Sequence, residues 1–254
     1  MKKLLRSGWM LMALLAVLRA AGAEEMLTES RPLNGPVLRV KLDGAVSIKL
    51  RQGAVPSLTI SAEKRLMGKI SVAQTGDTLH ITSEGKSFKF GGSNGARVEL
   101  VLPALRELSS EGVGNSDVSG FSGEELDLAL DGAGTLKIVC DYKRLNASLG
   151  GVGSMQIWVN DNARTELDLR GAGYITLGGR SKSLRASLGG LGNLNAQQFQ
   201  AESVDLELSG LGNATVNAKQ NASLNLSGLG SVTVYGRPLN RTVSVDGLGK
   251  VSWK

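Results

Sequence analysis

The sequence predicts an all-β fold, a single-stranded right-handed β-helix or flattened β-solenoid made of one short unit stacked on itself. Three observations carry this expectation. Eight Gly-x-Gly triplets recur, with first glycines at Gly112, Gly132, Gly151, Gly171, Gly190, Gly210, Gly228 and Gly247, at intervals of 18 to 20 residues. A period held that closely marks a repeat architecture. On either side of each triplet apolar and polar residues alternate, the pattern of a strand with one face buried. The residue between the two glycines is apolar every time: Val113, Ala133, Val152, Ala172, Leu191, Leu211, Leu229 or Leu248.

Aligned on the first glycine, the position two before it is Leu130, Leu149, Leu169, Leu188, Leu208 or Leu226 in six consecutive units. Four residues after it stand Leu136, Met155, Ile175, Leu194, Ala214 and Val232, and two further on Ile138, Ile157, Leu177, Ala196, Val216 and Val234. Each unit therefore reads as strand, Gly-x-Gly corner, strand and polar return. The closing glycines Gly114, Gly134, Gly153, Gly173, Gly192, Gly212, Gly230 and Gly249 complete the structural corners. There a side chain would resist the required backbone angles or close approach. The apolar central residue is expected to point inward and plug the edge of the core. One unit cannot bury its apolar face alone, whereas units stacked about 4.8 Å apart can. A roll of antiparallel hairpins with Gly-x-Gly turns is the alternative, and the persistence of the inward columns favours the solenoid. The position four before the glycine alternates large and small through Leu128, Ala147, Leu167, Ala186 and Leu206, which would interleave side-chain volumes between layers.

Residues 1–23 read as a secretory signal peptide: Lys2, Lys3 and Arg6 precede an apolar run from Trp9 to Leu18, and Ala21-Gly22-Ala23 offers small residues for cleavage. That run is too short to span a bilayer, so no integral membrane segment is expected after cleavage. Residues 24–36 form a lead-in, and 37–254 one solenoid domain with irregular strands over 37–104 and regular rungs over 105–254. Candidate strands in the irregular part are Val37–Leu42, Val46–Leu50, Ser57–Ser61, Ile70–Val72, Thr78–Thr82 and Val98–Leu102, with Gly76-Asp77 and Gly91-Gly92 as turns and Gly85–Asn94 as an exposed loop. The last strand, Lys250–Lys254, leaves no long tail for sorting or anchoring.

The full chain carries a formal charge of +6, but beyond residue 23 it holds 25 basic and 23 acidic side chains. That balance excludes nucleic acid and a polybasic membrane contact as expected partners. Cys140 is the only cysteine, so no intrachain disulfide exists, and its thiol reads as buried and inert. His80, the only histidine, lies in an alternating strand and has no nucleophile or metal-ligand spacing near it. No cofactor or metal is expected from this inventory. The Gly-x-Gly triplets open no helix and lack the lysine of a phosphate-binding loop.

Two surfaces remain as candidates for function. Glu166, Asp168, Asp205 and Glu207, with Arg170 and Arg185 nearby, fall on outward positions of neighbouring rungs. Paired carboxylates there could serve a polysaccharide lyase or hydrolase or hold a hard cation, although outward strand positions are ordinarily polar and solvated. Beyond the corner, outward positions carry hydroxyls, amides and occasional aromatics. Tyr174, Trp158, Asn193 and Asn213, together with Asp168 and Asp205, are the candidate binding surface for an envelope glycan or protein.

The early VLRVKLDGAVSIKLRQGAVPSLTI pattern, the VELVLPALRELSSEGVG transition and the Gly-x-Gly array together resemble the GIN head-domain family, described as auto-transporter adhesin heads, over roughly Val37 to Trp253. The resemblance implies an all-β superhelix similar in shape to pectin-lyase-like folds, without enzymatic activity and with a role in adhesion. It transfers no catalytic residue. No membrane-embedded β-barrel, extended coiled-coil stalk or C-terminal anchor of a self-transporting adhesin is expected from this sequence. The expectation is thus a non-enzymatic exported binding or envelope-structural protein of the periplasm or cell exterior, associated with the outer membrane or not. A periplasmic scaffold or homo-oligomerisation module is a further alternative.

Overall fold

The computed structural model describes residues 25–84 and 95–254. The leader over 1–23, the turn at Gly91-Gly92 and the loop Gly85–Asn94 fall outside the described residues. The lead-in is not featureless: it contains β1 (Met26–Arg31). The first rung is β2 (Arg39–Gly44) followed by β3 (Val46–Gln52), bent at Gly44 with φ +79°. Next come β4 (Ser57–Glu63), the one-turn helix α1 (Lys64–Met67), and a hairpin of β5 (Ile70–Thr75) and β6 (Thr78–Ser83). β7 (Ala96–Leu102) and β8 (Glu107–Ser110) lead into the regular stack.

From there one continuous strand makes most of each rung: β9 (Val113–Leu130), β10 (Ala133–Leu149), β11 (Val152–Leu169), β12 (Ala172–Leu188), β13 (Leu191–Leu208) and β14 (Asn213–Leu226). The last turns break into β15 (Ser231–Tyr235), β16 (Asn240–Val245) and β17 (Lys250–Trp253). Among the described residues all seventeen strands belong to one hydrogen-bonded sheet, wound into a β-solenoid of about seven turns. Parallel pairing runs from β8 and β9 to β17, as the stacked-unit reading requires, and the antiparallel roll is not formed.

Each rung has two walls. The front wall holds the segment after each triplet, such as Gly153–Val159, and the back wall the segment before it, such as Arg164–Leu169. Inward residues align by register: Leu136, Met155, Ile175 and Leu194 in the front wall, and Leu128, Ala147, Leu167, Ala186 and Leu206 in the back wall. All are buried. The large–small alternation of the back-wall column is therefore realised layer by layer, and each fully buried leucine contributes about 1.5–3 kcal/mol.

The region 37–104 joins the same sheet and mixes parallel with antiparallel pairing. β2 and β3 make one rung, and β6 and β7 pair in parallel with them as the layer beyond it. β4 runs antiparallel to β1 and β7, and β5 antiparallel to β6. The hairpin has a plain cause: Gly76-Asp77, with Gly76 at φ +60°, is too short a connection for a parallel crossover. These strands and α1, whose Met67 is buried, close the N-terminal end of the core. At the opposite end Arg241 lies over the Trp253 ring, 4.5 Å from its centroid.

The Gly-x-Gly corner corrects one expectation. Its central residues do not point inward: Val152 is 65%, Leu191 59%, Leu211 50%, Leu229 55% and Leu248 87% exposed. The reason is parity. The inward–outward alternation runs unbroken through the corner, so both glycines take inward positions and the residue between them faces out. No triplet glycine has a positive φ. They are glycines because the rungs touch there: a Cβ on Gly171 would fall on the Gly151 carbonyl, and one on Gly192 would meet Leu169 Cδ2 at 2.7 Å. The core edge is plugged instead from the opposite corner, where Phe121, Tyr142, Asn162 and Phe199 are buried. There Tyr142 Oη donates to Leu105 O at 2.6 Å, and Asn162 Oδ1 accepts from Ser181 Oγ at 2.8 Å and Thr165 Oγ1 at 3.1 Å, while its Nδ2 donates to Tyr142 O at 3.1 Å.

Candidate functional site

The two walls present different chemistry outward. On the front wall, register aligns Ser154, Tyr174, Asn193, Asn213 and Ser231 in one row, and Gln156, Thr176, Asn195, Thr215 and Thr233 in the next. Neither row holds a charge over these five rungs. Asn193 Oδ1 accepts from Asn213 N at 3.1 Å and Asn213 Nδ2 at 3.2 Å, so the amides are held by one another.

A third row runs Val139, Trp158, Gly178 and Gln198. The Trp158 indole lies across Gly178: a Cβ at that glycine would coincide with its Cζ3 and Cε3 atoms. Laid on the sheet in this way, the ring keeps 41% of its surface exposed. Beside it an open cavity of about 490 Å³ is lined by Val139, Trp158, Asn160, Arg180, Gln198 and Gln200. An aromatic face bordered by amides and one guanidinium offers an open apolar platform beside groups that can hydrogen-bond. The sequence pattern gave Trp158 as outward, but the pairing with Gly178 arises from rung register alone.

The back wall is charged. A groove of about 340 Å³ is bordered by Asp127, Asn146, Glu166, Asp168 and Arg185. The carboxylates there are paired: Glu166 with Arg164, Asp168 with Arg170, Asp205 with Arg185 at 3.8 Å, and Asp127 accepts from Asn146 Nδ2 at 2.7 Å. Asp168 holds the Arg170 guanidinium above its ordinary pKa through their hydrogen bond. Among the described residues no three His, Cys, Asp or Glu side chains converge where an ion could sit. The six predicted binding residues therefore divide. Trp158, Tyr174, Asn193 and Asn213 share the front wall, while Asp168 and Asp205 lie on the back wall and cannot meet the same ligand face.

Cys140 is buried, as expected, and burial pushes its thiol up to about 12, with Asp141 adding to the effect. His80 is exposed on β6.

Residues 38–238 match the family described as "Putative auto-transporter adhesin, head GIN domain". The chain belongs to this GIN head-domain family. Crystal structures share its fold at low identity. A protein named a putative adhesin from Parabacteroides distasonis is 20% identical with a TM-score of 0.76, over 92% of this chain and 98% of its own. Another so named from Bacteroides fragilis is 20% identical with a TM-score of 0.69, over 91% and 98%. A third, named a putative lipid binding protein from P. distasonis, is 17% identical with a TM-score of 0.73, over 91% and 98%. No curated protein is a match for the chain. In this GIN chain no helix among the described residues is long and apolar enough to cross a membrane.

Proposed function

We propose that this GIN-domain protein is an exported, non-enzymatic, adhesion-type binding protein whose front wall recognises an uncharged glycan. The observation that carries this reading is the Trp158 ring laid over Gly178 on a wall with two neighbouring rows free of charge for five rungs, Arg180 being the one charged residue lining the cavity. A pyranose has an apolar face and an equatorial rim of hydroxyls. The indole supports the first, and Gln198, Gln200 and Asn160 supply donors and acceptors for the second. The long rows of Ser, Thr and Asn would extend the contact along a polymer without favouring an anionic one. On the back wall Glu166, Asp168 and Asp205 are held in exposed ion pairs, which argues against their acting as an acid–base pair on a polysaccharide.

Titration of the protein with neutral oligosaccharides, followed by tryptophan fluorescence and isothermal calorimetry, tests the proposal. Binding that disappears in Trp158→Ala and persists in Asp168→Asn is expected. Binding only to acidic glycans, or binding indifferent to Trp158→Ala, would refute it.

A further inference from the structure

The apolar residues at the triplet centres stack into a ridge along one edge of the solenoid. Register places Ala133 between Val113 and Val152, and Ala172 between Val152 and Leu191. The ladder continues as Leu211 N donates to Gly190 O at 3.1 Å and Leu229 N to Gly210 O at 3.2 Å. Leu191, Leu211, Leu229 and Leu248 thus stand on four successive corners, each at least half exposed. Parity alone explains why this position faces out. It does not explain why it is aliphatic in every repeat, since a solvated corner would accept serine or lysine.

The flanks of the ridge are also unusual. The residue before each of the triplets starting at Gly190, Gly210 and Gly228 is Gly189, Ser209 or Ser227, and the residue after is Asn193, Asn213 or Ser231. Charge stands at Glu111, Asp131 and Arg170 on one end and at Asp246 and Lys250 on the other. Tyr174, exposed two residues beyond Ala172, adds an aromatic with a polar tip, a residue type enriched at membrane–water interfaces.

From this arrangement we infer that the corner ridge docks on a lipid surface, inserting its leucines between zwitterionic headgroups. A second copy is the weaker fit. From Val152 to Leu248 the ridge is about 24 Å long and one side chain wide. It falls well short of the roughly 800 Å² per partner that a stable protein complex buries. A bilayer interface sets no such minimum and requires no matching shape. The uncharged flanks of Leu191, Leu211 and Leu229 give no local electrostatic attraction or repulsion, so association through these leucines depends on apolar insertion and is insensitive to salt. Docked by this edge, the solenoid lies with its axis along the lipid surface, the row of Tyr174, Asn193 and Asn213 borders the lipid, and the Trp158 row further along the front wall is left for a ligand.

The test uses the full chain with Ser209→Cys labelled by an environment-sensitive fluorophore, Cys140 being too buried to compete for the label. A probe at the ridge separates docking by the corner from docking by the apolar leader. With phosphatidylcholine vesicles its emission is expected to shift to the blue and to be quenched by nitroxide-bearing lipid. Leu191→Ser/Leu211→Ser/Leu229→Ser should lose both effects while keeping its circular dichroism, and Leu248→Trp should strengthen them. An unshifted probe on vesicle-bound protein, or a shift surviving the triple substitution, overturns the inference. So does loss of the shift between about 0.1 M and 1 M salt. A lipid-free shift that grows with protein concentration would assign the ridge to a second copy instead. Should the triple variant unfold, failure of Leu248→Trp to strengthen the signal is sufficient to reject lipid docking.

Discussion

Gly189 and Gly190 are adjacent in sequence and should respond in opposite ways to the same methyl group. At Gly190 a Cβ would press on three backbone atoms of the preceding rung, including Arg170 C at 2.7 Å, where ordinary contact begins at 3.4 Å. Relief requires the rungs to part by at least about 0.7 Å, since the Gly171 and Arg170 carbonyl oxygens lie closer still, which stretches Leu191 N–Gly171 O from 3.1 Å to beyond roughly 3.8 Å and Gly190 N–Leu169 O from 3.3 Å to beyond roughly 4.0 Å. Both then cease to be hydrogen bonds. Two lost bonds at about 1 kcal/mol each, with about 1–3 kcal/mol of overpacking strain, give about 3–5 kcal/mol for Gly190→Ala. In a domain of this size that lowers the Tm by about 6–20 °C. At Gly189 the nearest atom is Ser209 Oγ at 3.6 Å and φ lies outside the left-handed region, so Ala fits. Reduced backbone freedom in the unfolded chain should make Gly189→Ala neutral or stabilising by up to about 1 kcal/mol. Thermal melts by circular dichroism on the two variants decide the matter. Equal melting temperatures would refute the stacking-contact account of the triplets.

Four further outcomes are expected. Gly171→Val should melt far below wild type while Asp168→Asn, in an exposed pair with Arg170, stays close to it, and comparable melts would contradict the corner argument. Asn162→Ala removes the partner of the buried Thr165 hydroxyl and of Tyr142 O, while Ser181 Oγ keeps Ser183, and should cost about 1–3 kcal/mol in urea unfolding. Cys140 should resist a thiol reagent at pH 8 until the protein is denatured. Because its folded pKa is raised from 9.0 to about 12, the unfolded chain deprotonates first, and stability should decline as pH climbs from about 9 towards 12. Cys140→Ala should flatten part of that decline in denaturant melts across the alkaline range. Gly178→Ala displaces the Trp158 ring from its seat, so it should weaken glycan binding, as read by calorimetry, with little change in secondary structure.

Much of the molecule was legible because a stacked repeat writes its geometry into the sequence many times. The columns at Leu149, Leu169 and Leu188, or at Ile157 and Leu177, could be read as inward from period-two alternation alone. Applied through the corner, the same alternation puts Leu191 and Leu211 outward. Expecting apolar residues to be buried gave the opposite direction there, and the structure follows parity. Elsewhere the pattern was too short to read. Antiparallel β4 and β5 alternate just as parallel strands do, and only their neighbours distinguish them. Phe121, Tyr142 and Asn162 sit in returns of differing length, so their columns emerge only once rung register is known.

By itself the sequence determined that one unit of about 19 residues would stack, where it would bend, and which side chains would form the core. Local alternation and glycine spacing are sufficient for that, since every rung contacts only its neighbours. Tertiary structure decided what lies beside what on the surface: Trp158 over Gly178, Asp168 on the opposite wall from Tyr174, and leucines from four repeats joined into one exposed ridge. Those adjacencies join residues about twenty positions apart, and only the hydrogen-bonded register between rungs brings them together.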